Sequence, residues 1–417
     1  MGQITTNGPA RLLAQRLDEL AQVTDEPGKL TRTFLSPAMG RANAIVGGWM
    51  KATGLTTRVD TTGNLIGRLE SAAGPRARTL LLGSHLDTVR DAGRFDGALG
   101  VLLPIVALAE LRRRKRALPF AVEVLGFSEE EGVRFASAYL GSKGYSGQLR
   151  ASELNFADAK GVTIRAALEA HNGGAFALPK PAHRKSDLLG YVEVHIEQGP
   201  VLEAKQLAVG VVSAIAGQTR AKLVFKGHAG HAGTTPMNLR RDALAGAAEF
   251  TLAAEALAQR TPGLVATVGT MAVAPGAANV IPAEAAFSLD LRHPRDAVRR
   301  TALRQLRTTA AGIARRRKLG LVWTTTQDNA AVTCAPALAA ALTASVRAVQ
   351  GRSLALPSGA GHDAVVVAAL TPVAMLFVRS RAGLSHHPDE YSTAADLGVA
   401  LDVLIDFIER LARTHSS

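Results

Sequence analysis

Two stretches decide how the first half of this chain folds: residues 79–87, TLLLGSHLD, and residues 120–132, FAVEVLGFSEEEG. Each opens with an apolar run of strand length and ends abruptly in ionisable side chains. A strand buried on both faces carries no alternation, so its polar residues gather where it ends. After the first run the Gly-rich segment Gly93–Gly97 leads into a helical pattern from Ala98, and the second run follows that helix. Strand, polar end, helix, strand is the signature of an α/β sheet with its site at the strand ends.

Working outward, Arg11–Leu20 and Ala42–Met50 read as amphipathic helices, and Thr57–Asp60 and Asn64–Leu69 as short strands. The middle changes style. Thr219–Phe225 alternates polar and apolar, and an Ala-rich helix begins near Arg241. Leu264–Val273 and Ala285–Leu291 read as strands, and Arg295–Arg315 as a helix. The order β-α-β-β-α suits an open antiparallel sheet with helices on one side. The α/β style returns after Asn329, with a helix at Leu338–Val349, a strand at Pro372–Phe377 and a last helix from Ala394. The simplest account is a catalytic domain in two pieces, residues 1–213 and 329–417, interrupted by an inserted α+β domain at 214–328.

The 417 residues carry a net charge of +13, but aromatic side chains make up 4% and the densest cationic run, Arg112–Arg116, closes a helix. Cations suit a helix C-terminus, and a nucleic-acid surface would interleave aromatics with its charge. No nucleic-acid partner is expected. No apolar run of membrane-spanning length occurs, and the N-terminus shows no basic start followed by an apolar stretch. The one cysteine, Cys334, excludes an internal disulfide and any thiolate metal cluster. A cytoplasmic protein whose metal, if it has one, is held by imidazole and carboxylate is the expectation.

Candidate ligands sit at strand ends and in Gly-rich turns: His85, Asp87, Asp96, Glu130, Glu131, His195, His231, His362 and His386. In an extended segment His85 and Asp87 share a face, and an Asp there can accept the second imidazole N–H of a metal-bound His. Asp96, in the turn before a helix, can bridge two cations. Three consecutive acids at a strand end, Glu129–Glu131, are costly unless a cation neutralises them. One can then bind metal while its neighbour acts as general base towards water.

The segments GSHLDTV (83–89), GRFDGALGVL (93–102), FSEEEGVRF (127–135), VEVHIEQGPVLE (192–203), GHAGTTPM (230–237), ANVIP (278–282), DLRH (290–293), SGAGHDA (358–364) and LSHHPDE (384–390) occur in this order. Together they resemble the amidase branch of the M20 metallopeptidases: N-carbamoyl-L-amino-acid hydrolases, allantoate amidohydrolases and β-ureidopropionases. The resemblance runs from about residue 30 to the C-terminus. It implies a two-domain α/β fold, with a zinc-peptidase-like mixed sheet and an inserted dimerisation or lid domain. It implies two divalent cations, Zn²⁺ or Mn²⁺: one on His85, Asp96 and His195, the other on Asp96, Glu131 and His386. Glu130 matches the general base. His231, Asn279 and Arg292 match substrate-binding residues, with Gln198, Gln218 and His362 as further pocket residues. In the family the His matched by His231 reaches the partner's active site across a homodimer. On this reading Arg292 and Asn279 close on a substrate carboxylate, while Glu129, His171 and His387 are supporting or solvent-facing.

The implied reaction is hydrolysis of a ureido C–N bond in a small anionic substrate. Ile215–Arg220, Thr267–Thr270 and Met375–Arg379 look closest to allantoate amidohydrolases; N-carbamoyl-L-amino acids and 3-ureidopropionate are the alternatives. Leu384 and His387 depart from the commoner family pattern, and neither removes a ligand. A non-enzymatic binding member of the fold would have lost ligands or the base, and all six positions are filled.

Overall fold

The computed structural model describes residues 8–415. The chain divides into two compact units: the described residues up to Ser213 with Cys334–Leu356 and those from Gly361 on, and Ala214–Thr333 with Pro357–Ala360.

The first unit opens with helices Gly8–Ala21 and Pro37–Ala52, the second capped by Ser36, whose hydroxyl accepts the Met39 N–H. Its first strands are β1 (Thr56–Val59), β2 (Leu65–Leu69), β3 (Thr79–His85), β4 (Ala121–Phe127), β5 (Leu188–Ile196) and β6 (Val209–Ile215). Every residue of β3 and β4 is buried, as their largely apolar runs predict; Glu123, which interrupts β4, is held by Arg68 and Tyr145. The crossover helix Ala98–Arg113 between them is buried on nearly all sides, the behaviour of a helix apolar all round.

The second unit begins with β7 (Gly217–Lys226) and helix Ala243–Arg260, capped by Asp242. Strands β8 (Val265–Thr267), β9 (Met271–Ala274) and β10 (Glu284–His293) follow, then helix Asp296–Arg317 and β11 (Gly320–Asn329). Its sheet runs β11-β7-β10-β8, with β9 also on β10, and every pairing is antiparallel. Alternation on β7 and β10 buries Leu223, Phe225, Phe287 and Leu289 under the two helices.

Two details of this unit differ from the sequence reading. Leu264–Val273 is two strands, not one, because the Gly269 and Thr270 N–H groups turn to the Ser288 hydroxyl instead of the ladder. The order also gains a strand: β11 pairs along β7, with a register shift between Thr325 and Gln327. Its Thr-rich run has mostly exposed side chains, so it lacked the buried alternation that marks a strand in sequence.

The chain then adds β12 (Val332–Thr333), helix Pro336–Gln350, β13 (Ala355–Ser358), β14 (Val373–Val378) and helix Ala394–His415. The first unit's sheet runs β1-β2-β4-β3-β5-β14-β6. Strands β4, β3, β5 and β14 are mutually parallel, and antiparallel strands flank them. This is the mixed sheet with a separate antiparallel sheet that the resemblance implied. A core that includes Leu82, Val106, Val124, Val194, Leu342 and Phe407 lies beneath the helices. No helix among the described residues is long and apolar enough to cross a membrane.

Candidate metal centre and active site

Parallel strands put their C-terminal ends on one edge. His85, last in β3, pairs with Phe127, last in β4, and His195 near the end of β5 pairs with Phe377 of β14. The segments leaving these ends carry Asp87, Glu129–Glu131, Gln198 and His386. Residues scattered over about three hundred positions therefore meet at one edge of the sheet, where α/β proteins place their ligands.

Asp96 stands at the middle. Its Oδ1 lies 3.1 Å from His195 Nε2 and 3.4 Å from His85 Nε2. Its Oδ2 lies 3.3 Å from His386 Nε2, which in turn is 3.6 Å from Glu131 Oε1. Gly97 permits this approach: its φ is +65°, and a Cβ there would come within 2.4 Å of the His85 ring. His85, Asp96 and His195 can supply ligand atoms all within 4.8 Å of one another, and so can Asp96, Glu131 and His386. So can His85, Glu130 and Glu131, and Glu193, His195 and His362.

The electrostatics fit a cation. Burial, then the charge of Asp96, pushes Glu131 up to about 7. Burial also raises Glu130 and Glu129 well above the usual carboxylate range. Burial works against a charged Asp96, but the charge of His195 and hydrogen bonds from His195, His386 and His85 outweigh it and hold Asp96 well below its ordinary value. Burial likewise opposes a charged His85, and hydrogen bonds to Asp87 and Asp96 overcome it. Protons on imidazole thus neutralise Asp96, and a metal ion would displace them. An all-nitrogen-and-oxygen donor set of this kind suits Zn²⁺ or Mn²⁺.

Asp87 does more than the sequence suggested. Its Oδ1 and Oδ2 accept the backbone N–H groups of Glu130 and Glu131, at 3.0 and 3.1 Å. Its side chain is 3.4 Å from His85 Nδ1, while its own carbonyl oxygen is nearer, at 3.0 Å. Asp87 therefore sets both the imidazole and the two acids. Glu129 is not solvent-facing: it is fully buried and accepts the Gly132 N–H at 2.6 Å. His171 and His387 are exposed.

Gln198, expected in the substrate pocket, lies beside the candidate metal ligands. Its Nε2 donates to Asp96 Oδ2 at 2.9 Å and to Ser385 Oγ at 3.2 Å. Both Gln198 and His386 have left-handed backbones, with φ of 56° and 57°, and such strain tends to collect where function over-determines conformation. His362 is buried edge-on against His195, with ring centroids 4.5 Å apart, and burial drives its pKa well below the ordinary value. Its imidazole is a neutral neighbour here.

Two residues escaped the sequence reading. Glu193 is buried, and its carboxylate accepts the Ser84 hydroxyl at 2.7 Å and the Ala364 N–H at 3.0 Å. It stands two residues before His195 on the same strand face, so period-two reasoning was able to find it. Glu390 accepts the N–H groups of Phe95 and Asp96. No local pattern pointed to that.

The second unit carries the other expected residues in two groups. Gln218 on β7 faces Arg292 on β10, and both bond Asp290. The Arg292 guanidinium holds the Asp290 carboxylate through Nε at 2.8 Å and Nη2 at 2.9 Å, and Nη1 donates to the Gly359 carbonyl at 2.7 Å. Asp290 also accepts from Arg220 Nε at 2.9 Å. The second group lies beyond the opposite end of the same strands. There the antiparallel pairing of the two segments continues through Gly227 and Ala283 to Ala232, whose N–H donates to the Asn279 carbonyl at 2.9 Å. His231 is exposed, and its Nδ1 accepts the Gly233 N–H at 3.0 Å, which leaves Nε2 to carry the ring proton. From Gln218 to Lys226 is eight residues of strand, about 26 Å at roughly 3.3 Å each. Within one copy of this unit, Arg292 and Asn279 therefore lie towards opposite ends of the same strands. One copy of this unit cannot bring both to a small molecule.

Comparison with known proteins gives a consistent result. Residues 81–410 match the family described as Peptidase family M20/M25/M40. The chain is 41% identical to allantoate deiminase of Arabidopsis thaliana, over 94% of this chain and 81% of that protein. It is 39% identical to N-carbamoyl-L-amino acid amidohydrolase of Geobacillus stearothermophilus, over 96% and 98%. A solved amidase of the hydantoinase/carbamoylase family from Burkholderia multivorans superposes with a TM-score of 0.91 at 32% identity, covering 97% of this chain and 98% of that one.

Proposed function

The chain belongs to peptidase family M20/M25/M40, in its amidase branch of hydrolases acting on C–N bonds, and from that premise we propose a two-cation hydrolase of ureido substrates, allantoate first among them. The observation that carries this reading is the sharing of Asp96. Each oxygen of its carboxylate faces a separate set of ligands, His85 and His195 on one side and His386 on the other. Asp96 is the bridge between the two sets, and Glu131 completes the second.

Divalent cations held by His85, Asp96, Glu131, His195 and His386 would supply Lewis acidity towards the scissile carbonyl and towards water. The chain's own residues do the rest. Glu130, a base strengthened by burial, takes a proton from the attacking water as oxygen bonds the ureido carbon. It returns that proton to the departing nitrogen as the C–N bond breaks. Allantoate would give ammonia, CO₂ and ureidoglycine. Asp87 holds Glu130 in place through its backbone N–H. The Nε2–H of His231 is available to meet a developing oxyanion. Arg292, already anchored by Asp290, presents a positive edge to the substrate carboxylate.

N-carbamoyl-L-amino acids are the second reading, favoured by the full-length likeness to the Geobacillus enzyme. An ammonia-release assay with added Mn²⁺, over allantoate, N-carbamoyl-L-amino acids, 3-ureidopropionate and a dipeptide, decides between them. The expected ranking by kcat/KM puts allantoate first. A higher value for a carbamoyl amino acid would hand the assignment to the second reading, and fastest turnover of the dipeptide would overturn both.

The placement of His231 and Asn279 far along the strands from Arg292 supports a homodimer in which they serve the partner's site. Among the described residues β11 forms one edge of this unit's sheet and β8 with β9 the other, and Met237, Leu239, Leu252 and Val265 are exposed. Open edges and apolar side chains of this kind suit an association surface. Inactive Glu130→Gln and His231→Ala proteins, mixed under subunit exchange, should then regain activity. One site of each hybrid dimer carries neither lesion, so random exchange should restore about a quarter of the wild-type rate. A mixture that stays dead despite demonstrated exchange would place His231 in its own subunit's chemistry or in none.

A further inference from the structure

Glu390 lies 294 positions from Asp96, in the segment that follows His386, and it is 1% exposed. Its Oε1 accepts two consecutive backbone N–H groups, those of Phe95 at 2.8 Å and Asp96 at 3.0 Å. Its Oε2 lies 3.1 Å from Ser385 Oγ, and that hydroxyl lies 2.7 Å from Asp96 Oδ2. One carboxylate thus grips the main chain of Asp96 and reaches its side chain through the residue that precedes His386. The turn is built for it: a Cβ on Gly93 would come within 2.3 Å of the Glu390 side chain. Burying this carboxylate without these three partners would be costly.

We propose that Glu390 is a positioning residue that locks the Asp96 turn to the His386 segment, so that two of the three carriers of the second cation's ligands act as one rigid piece. The proposal rests on the two-cation reading of the centre. Glu390 touches neither substrate nor cation. Its effect passes through the aim of the Asp96 carboxylate, whose two oxygens must each point at a different ligand set. Partners that hold a metal ligand in place typically govern affinity by about 10- to 100-fold.

Glutamine can replace it and alanine cannot. In Glu390→Gln the amide carbonyl oxygen accepts the same two N–H groups, and the amide nitrogen donates to Ser385 Oγ, leaving the single hydroxyl proton for Asp96. Calorimetric titration of Mn²⁺ into chelator-stripped protein should show Glu390→Ala weakened roughly 10- to 100-fold and Glu390→Gln within about threefold of wild type. Ser385→Ala keeps the backbone clamp and loses only the link to Asp96 Oδ2, so it should fall between them, and it serves if Glu390→Ala does not fold. Wild-type Mn²⁺ affinity in Glu390→Ala or in Ser385→Ala overturns the proposal, as does a Glu390→Gln protein as weak as the alanine variant. Failure of the wild-type protein to take up Mn²⁺ would instead overturn the metal reading itself.

Discussion

Asp96→Ala is expected to strip both cations and reduce kcat/KM by a factor on the order of 10⁴ or more, since each metal function supplies several kcal/mol at the transition state. The geometry leaves no substitute. The nearest approach of His85 and His195 to this carboxylate is at Oδ1, and that of His386 is at Oδ2. Alanine also removes one of the two acceptors of the Ser385 hydroxyl and of the Gln198 amide, now 2.7 and 2.9 Å from Asp96. Each part-buried bond lost costs about 0.5–1.5 kcal/mol, so a lower Tm should accompany the loss of metal. Elemental analysis of the folded variant, alongside its activity, is the measurement that checks this. Two cations retained per subunit with activity intact would mean that Asp96 bridges nothing.

Glu130→Gln should behave in the opposite way, keeping both cations and near-normal KM while kcat falls by about 10² to 10⁴, the range for losing a general base. The amide keeps the shape of the side chain, and the Asp87 bond to the backbone N–H at 130 is untouched. Glu131→Gln should instead weaken one cation, because its Oε1 faces His386. Measured side by side, kcat and metal content separate a base from a ligand. If Glu130→Gln lost metal while Glu131→Gln kept it and lost kcat, the roles assigned to these neighbours would be exchanged.

Much of this centre was legible in the residues alone. β3 and β4 are covered on both faces, so their sequences had to be apolar nearly to the final residue, and His85 and Glu129–Glu131 stood out where the apolar runs stopped. Period-two spacing put His85 with Asp87. The motif order then connected them to His195 and His386. What did not show was which way consecutive acids point. A turn has no period, so Glu129 read as peripheral, although it is fully buried. β11 escaped for a related reason: its side chains are mostly exposed, and alternation carries information only where one face is buried.

By itself, then, the sequence determined the α/β order of the first unit, the break in style at the second, the inventory of candidate ligands and the family. Those are properties of local pattern, since burial and backbone geometry impress a period on the residues that suffer them. Only the tertiary structure decided how the inventory is divided. It set different imidazoles against each oxygen of Asp96, brought the Gln198 amide to the same carboxylate, and put Glu390 behind a turn 294 residues away. It also set Gln218 and Arg292 at one end of β7 and β10, with His231 and Asn279 beyond the other. Long-range packing leaves no period in sequence, because the contact it creates fixes the identity of single residues and not their spacing.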